Sequence, residues 1–237
     1  MIIPVLMYHS ISDDLSPISI SPKDFENHLI FFKNHNYETV NLSDIDQISK
    51  AKPFIITFDD GYKDNLLTAL PLLKKYNFKA TCFITTNFIG KTNKWDENKQ
   101  NFTKKIIMGF DDINEWISNN MQIGSHTHNH LNLENLKHTD VVNELAISKK
   151  ILVDNFKIDI DCVSYPFGRL NYNIYNLTKN YYKKGVTTNR SRYNTSLHSD
   201  LLIPRINMSK NLSKFKLFLK IKTIYEDIKF DKKKLYM

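Results

Sequence analysis

The sequence predicts an α/β fold built on a mostly parallel sheet, and two observations carry that prediction. Short apolar stretches of strand length alternate with segments of helical period along the chain. The apolar run Phe54-Ile55-Ile56-Thr57-Phe58 also stops abruptly at two carboxylates, Asp59 and Asp60, followed by Gly61. Acids at the carboxyl end of a buried strand lie where open sheets and barrels of parallel strands place their active sites. Either an open sheet or a barrel satisfies the alternation.

In order, Pro4-Val5-Leu6-Met7-Tyr8 reads as a first strand ending at His9. Ser21-Pro22-Lys23-Asp24 is a helix start, and Phe25, Leu29 and Phe32 form the apolar stripe that follows, with His28 and His35 on the same helix. Thr39 to Leu42 reads as a short strand, and Asn65 to Tyr76 as a helix in which Pro71 predicts a kink or restart. Ala80-Thr81-Cys82-Phe83-Ile84 is another buried strand. Lys91 to Lys105 is a polar, loop-like insertion whose Trp95 suits substrate contact or lid packing equally. Helices are expected over Asp111–Ile117, Asp140–Phe156, Tyr172–Tyr182 and Phe215–Ile228. Extended pieces are expected at Val163–Tyr165, Gly185–Thr188 and Leu201–Ile206.

The whole chain, with 237 residues, suits one large domain; 41% hydrophobic and 24% charged residues are ordinary for a globular protein. No apolar run approaches the roughly 20 residues of a membrane span. The first residues read as a strand rather than an export signal, so a cytoplasmic location is expected. Cys82 and Cys162 stand in no metal or redox spacing and are expected to be reduced core thiols. The formal net charge is +8, concentrated near the carboxyl end and culminating in Lys232-Lys233-Lys234. We expect residues 1–210 to form the catalytic domain and residues 211–237 a basic amphipathic helix and tail. That tail is a candidate for peripheral contact with an anionic membrane face, although a solvated basic face explains the same charge. No nucleic-acid motif accompanies it, and no nucleic-acid partner is expected.

The chemistry concentrates in two places. Adjacent residues of an extended strand point to opposite faces, so Asp59 and Asp60 are expected to do different work, one on a metal and one on a proton. Ser125-His126-Thr127-His128-Asn129-His130 sets three imidazoles within five residues, after an apolar strand and Gly124. In a helical turn the first and last meet on one side; in an extended segment all three share a face. Imidazole with carboxylate is the ligand set of borderline divalent metals, and Asp60, His126 and His130 as three ligands leave a position for water.

With these motifs in view, TFDDGY at 57–62, SHTHNH at 125–130 and SYPFG at 164–168 resemble, in this order, the polysaccharide deacetylase family, also called the NodB-homology domain or carbohydrate esterase family 4. The resemblance runs from about Pro4 to Ile206. It implies a distorted (β/α) barrel and one divalent metal, zinc first, with cobalt, nickel or iron also accepting the set. The implied reaction is hydrolysis of the N-acetyl group of an amino sugar in a polysaccharide, oligosaccharide or glycolipid. It further implies Asp59 as general base, Asp60, His126 and His130 as metal ligands, and Thr127 as a loop-holding hydrogen bonder. Tyr165-Pro166-Phe167 would form the groove, with the Phe167 N–H as oxyanion donor. His128 falls on a variable position.

Two departures shape the expectations. The late histidine that serves the family as acid is missing, because His198 has a polar context. Leu6-Met7-Tyr8-His9 resembles members that begin with such a strand, so His9 is expected as the acid. Ser164 stands where the family often has an arginine; Arg205, after Ile203-Pro204, is expected to substitute by pairing with Asp59, ahead of Arg169. The competing functions are O-acetyl esterase or cyclic amide hydrolase on the same site, a carbohydrate-binding relative without catalysis, and a basic nucleic-acid binder.

Overall fold

The computed structural model describes residues 1–98, 100 and 102–230. The run Lys232-Lys233-Lys234 therefore lies outside the described residues. The chain begins with β1 (Ile2–Ile3), β2 (Val5–Tyr8), β3 (Ser10–Ile11) and β4 (Ser19–Ile20), then α1 (Pro22–Asn34), β5 (Glu38–Thr39) and β6 (Pro53–Phe58). α2 (Leu70–Tyr76), β7 (Thr81–Ile84), α3 (Phe110–Ser118), β8 (Gln122–Ser125), α4 (His138–Phe156) and β9 (Cys162–Ser164) follow. The last part holds α5 (Tyr172–Thr178), β10 (Lys184–Val186), β11 (Tyr193–Asn194), β12 (Ile206–Asn207) and α6 (Lys214–Lys222).

The principal sheet runs β10-β9-β8-β7-β6-β2-β12, with β5 pairing to the start of β6, and every pairing in it is parallel. It curls back on itself: Val186 of β10 bridges in parallel to Ile203, just before β12. This is the distorted barrel. Alternate residues obey the two-residue period of a strand. Ile55, Phe83, Cys162, Val186 and Ile203 fill an inner cluster, whereas Phe54, Ile56, Phe58, Cys82 and Val163 join the larger cluster beneath the helices. The inward parity of Ile55 continues through Thr57 to Asp59, which carries the acid to the carboxyl-end mouth. The β6–β2 register pairs Phe58 with Tyr8, so His9 leaves β2 beside Asp59.

Several elements are shorter than their periodicity predicts. Asn65–Ala69 is a π-turn that becomes α-helical only at Leu70; Pro71 sits in the first turn of α2, where its missing N–H is tolerated. The strand expected at Thr39 to Leu42 ends at Thr39, and Leu42–Gln47 turns as a 3₁₀ helix. The closing helix ends at Lys222, because Thr223 is extended; a separate 3₁₀ turn occupies Asp227–Lys229. Leu217 and Ile221 of α6 are buried in the same core cluster as the barrel helices. Both cysteines are free and buried. No helix among the described residues is long and apolar enough to cross a membrane.

Candidate active site

Asp59 and Asp60 end the same strand yet face the same mouth. The reason is local: Asp60 has φ +73 and Gly61 φ +79, so the backbone turns sharply and swings the second carboxylate round beside the first. A one-residue turn thus replaces the opposite-face placement that an extended strand would impose.

Asp60 meets the histidine loop after β8. Its Oδ1 lies 3.4 Å from His126 Nε2 and 3.2 Å from His130 Nε2, and one ligand atom from each of the three falls within 4.8 Å of the others. His126 Nδ1 lies 2.7 Å from the Ser164 carbonyl, which requires the proton on Nδ1 and leaves the Nε2 lone pair toward Asp60. Neutral imidazoles and a carboxylate converging in this way are all acceptors, and Asp60 Oδ1 is buried without a hydrogen-bond partner. Only a cation or an added proton reconciles them, so the donor set fits a divalent metal. Charge follows the same geometry. Burial opposes the ionised form of Asp60, but the close approach of the His126 and His130 imidazoles holds it well below the carboxylate range. Burial lowers both histidines; the nearness of Asp60 and the charges of Asp59 and Asp60 reverse this at His126, leaving it raised, but not at His130.

Asp59 has a different partner. Arg205 donates Nη1 to Oδ1 at 2.8 Å and Nη2 to Oδ2 at 2.7 Å, a bidentate pair buried on both sides. The remaining guanidinium N–H groups reach Thr57 Oγ1, Ser164 Oγ and the Thr187 carbonyl, so all five donors are used. Ser164 thus contributes a hydroxyl where an arginine was missing from the motif, while Arg169 is exposed. Burial raises Asp59, but the charges of Arg205 and His126 and the Arg205 hydrogen bonds outweigh it, pulling Asp59 down to about 2. His9 Nε2 stands 3.9 Å from Asp59 Oδ2 and remains partly exposed at the mouth.

Aromatic rings close the far side. Trp95 stacks on His130 at 4.7 Å between ring centres, and Phe88 packs on Trp95 at 4.8 Å. Phe167, exposed and in the left-handed region at φ +60, approaches His130 edge-on at 4.9 Å. Gly168 follows at φ +66, and a Cβ there would fall 2.1 Å from Thr188 Oγ1. Pro166 and Tyr165 are buried beneath this turn. His128 is outside the metal cluster and bonds Thr86 Oγ1 through Nδ1.

The histidine loop is held differently from the expectation. The Thr127 hydroxyl is buried with no hydrogen-bond partner among the described residues; the loop is fixed instead by Ser125 Oγ, which accepts the Thr127 N–H, and by Glu144 of α4. Glu144 Oε2 accepts the N–H groups of His128 and Asn129 at 2.9 and 2.8 Å. Its position was legible: Val141, Glu144, Leu145, Ser148 and Leu152 share the buried stripe of α4, and a carboxylate on such a stripe must have partners. A second missed group is Lys105. It is buried against Asp14, and its Nζ reaches Ser10 Oγ at 2.7 Å, fastening the insertion that carries Trp95 to the loop after His9.

The comparisons agree with this geometry. A family model described as polysaccharide deacetylase matches residues 46–186. The protein YxkH of Bacillus subtilis (strain 168) is 35% identical over 193 residues; the match covers 78% of this chain, which spans 64% of the length of YxkH. The poly-β-1,6-N-acetyl-D-glucosamine N-deacetylase of Staphylococcus aureus (strain MRSA252) is 26% identical over 217 residues, covering 86% of this chain and 72% of that protein. Among solved structures, the Streptococcus pyogenes deacetylase PplD in complex with acetate superimposes with a TM-score of 0.80 at 26% identity, over 93% of this chain and 98% of that one. Because the family model matches more than half of the chain, and the same motifs gather at the barrel mouth, the chain belongs to the polysaccharide deacetylase family.

Proposed function

We propose that the protein is a metal-dependent hydrolase that removes the N-acetyl group from an amino sugar of a polysaccharide, oligosaccharide or glycolipid and releases acetate. The observation that carries this reading is the adjacency of two unlike carboxylates: Asp60 among two imidazoles, and Asp59 locked on Arg205. The S. aureus relative is named for removing acetyl groups from an N-acetylated amino-sugar polymer, and PplD was solved with acetate, the product of such a reaction; both support this reading.

Asp60, His126 and His130 would hold the metal, with zinc the first choice for one carboxylate and two imidazoles. When bound, a divalent ion acidifies water and polarises a carbonyl. Asp59, ionised at neutral pH, accepts the proton of the attacking water, and Arg205 keeps its two oxygens in one orientation while it does so. The Phe167 N–H, on the turn beside His130, donates to the oxyanion that develops on the acetyl carbonyl, a contribution of roughly 3 kcal/mol for a well-placed donor. His9, across the mouth from the metal ligands and near Asp59, protonates the departing amine. Trp95 and Phe167 offer apolar faces to the sugar ring.

The test is acetate release from N-acetylated and O-acetylated saccharides by metal-stripped protein, with and without added zinc or cobalt, beside Asp59→Asn. Metal-restored acetate release from N-acetyl substrates, reduced about 10²- to 10⁴-fold by Asp59→Asn, is expected. Acetate release indifferent to both the metal and Asp59 would refute the assignment.

A further inference from the structure

A second concave site lies at the rim of the barrel, apart from the metal ligands. It encloses about 210 Å³ and is lined by Arg190, Lys216, Lys220 and Lys229 with Asn207 and Ser209. No carboxylate lines it among the described residues. The acid behind it, Glu226, is fully buried and already saturated: Arg190 donates Nη2 to Oε1 and Nε to Oε2, each at 2.9 Å, and Lys220 Nζ stands 3.1 Å from Oε1. One carboxylate therefore serves two cations, and Lys216 and Lys229 add two more charges with no carboxylate of their own among the described residues. Lys220 is not a loose surface lysine, because it is 4% exposed and its Nζ is fixed by the Asn207 carbonyl at 2.7 Å. The neighbouring charges also act on one another. Burial lowers Lys220, the charge and bond of Glu226 oppose this only in part, and Arg190 and Lys229 push it further down; the bond and charge of Lys229, then the charge of Lys216, lower the phenol of Tyr225, another lining residue. A small cleft with this excess of positive charge is relieved by an anion.

The place of the cleft says which anion. Asn207 pairs with Met7, and the Met208 N–H bonds the Met7 carbonyl at 3.2 Å, so Ser209 follows on the strand end next to His9. On the other wall, Arg190 follows β10, and the Asn189 carbonyl accepts the Arg205 N–H at 2.9 Å. The two segments that set Arg205 on Asp59 are thus the walls of the basic cleft, and a polymer lying in the mouth would present its next unit there.

We propose that this cleft is a subsite for an anionic group, phosphate or carboxylate, carried by the glycan beside the N-acetyl unit. The inference rests on the deacetylase reading of the neighbouring site and narrows its substrate class to an anionic glycan.

Two measurements on the metal-loaded full chain test it, comparing the protein with the Lys216→Ala/Lys229→Ala double variant. Inorganic phosphate binding, followed by titration calorimetry, is expected to weaken about 10-fold in the variant at unchanged melting temperature. Because phosphate can also reach the metal, the difference between the two proteins is the readout, and equal affinities would overturn the anion site. The second measurement uses a matched pair of N-acetylglucosamine oligosaccharides, one neutral and one with a phosphodiester on the adjoining sugar. KM is expected to rise about 10-fold for the phosphorylated one alone, with kcat held. Equal changes for both substrates would overturn the subsite. So would an unchanged KM accompanied by lost binding to phosphatidylglycerol vesicles, which would assign the anion to a lipid headgroup. If neither substrate releases acetate while phosphate affinity falls in the variant, the anion site stands and the deacetylase reading falls.

Discussion

Glu144 and Asn129 are joined twice: Oε2 of the acid accepts the Asn129 backbone N–H at 2.8 Å, and Oε1 accepts its side-chain N–H at 2.6 Å. Between His126 and His130 the chain visits the left-handed region at Thr127 (φ +62), and His130 itself has φ +56. Such conformations cost of order 1 kcal/mol each and persist only when their surroundings impose them. Glu144→Ala should therefore loosen the candidate ligands His126 and His130 rather than merely the helix. Zinc affinity, measured by competition with a chromophoric chelator, is expected to fall about 10- to 100-fold, with Glu144→Gln recovering part of it. Zinc affinity unchanged in Glu144→Ala would show that the loop keeps its shape unaided.

Arg205→Met leaves Asp59 buried without its counter-ion, and a broken buried pair costs roughly 3–5 kcal/mol. Arg205→Lys is expected to recover only part of this, since a point charge cannot replace two parallel hydrogen bonds. Chemical denaturation reads the stability and acetate release the activity; full activity in Arg205→Met would dismiss its role in orienting Asp59.

A pH dependence follows from His28, on the buried face of α1, with Nδ1 3.1 Å from the Tyr8 hydroxyl. Burial lowers its pKa to about 4 from the ordinary value near 6.5. The folded state favours neutral imidazole, so this contribution is complete above about pH 6.5 and is lost as pH falls toward 4. The loss reaches roughly 3 kcal/mol. Urea denaturation between pH 7 and 4 should show a flatter stability profile for His28→Gln; an identical slope would acquit His28.

Trp95 offers an optical reporter for a metal at the proposed site. Its ring stacks on His130, whereas the other tryptophan, Trp116, is buried against Phe58. Cobalt titrated into metal-stripped protein should quench tryptophan emission, and Trp95→Phe should remove most of that quenching while leaving cobalt affinity within about 2-fold. Undiminished quenching in Trp95→Phe would mean that the ion binds away from His130.

What the sequence disclosed depended on how local each signal was. The strand into Asp59-Asp60 and the histidine run declare themselves within six residues, because the ligands of the cluster come from two short segments. Arg205 could be named as the partner of Asp59 because a missing arginine in one motif demanded a substitute. Periodicity overran the last helix, since Ile224 and Ile228 keep the apolar spacing after the backbone has left the helix at Thr223. It could not register that Asp60 would turn, because the relevant quantity is a positive φ and not a pattern. Lys105 was illegible for a further reason: its partners Ser10, Ser12 and Asp14 are more than 90 positions away, and nothing near it marks it as buried.

The pairing of Asp59 with Arg205 spans 146 positions, and synthesis is vectorial. At ribosomal speeds of 5–20 residues per second, the acid waits roughly 7–30 s for its counter-ion. Until then β2 is an open edge, and the strand that leads into Asp59 has no reason to bury it. Closure of the barrel and pairing of Asp59 with Arg205 are consequently one event, performed by the last strand. A nascent or prematurely terminated chain ending before residue 205 would leave Asp59 without its guanidinium partner.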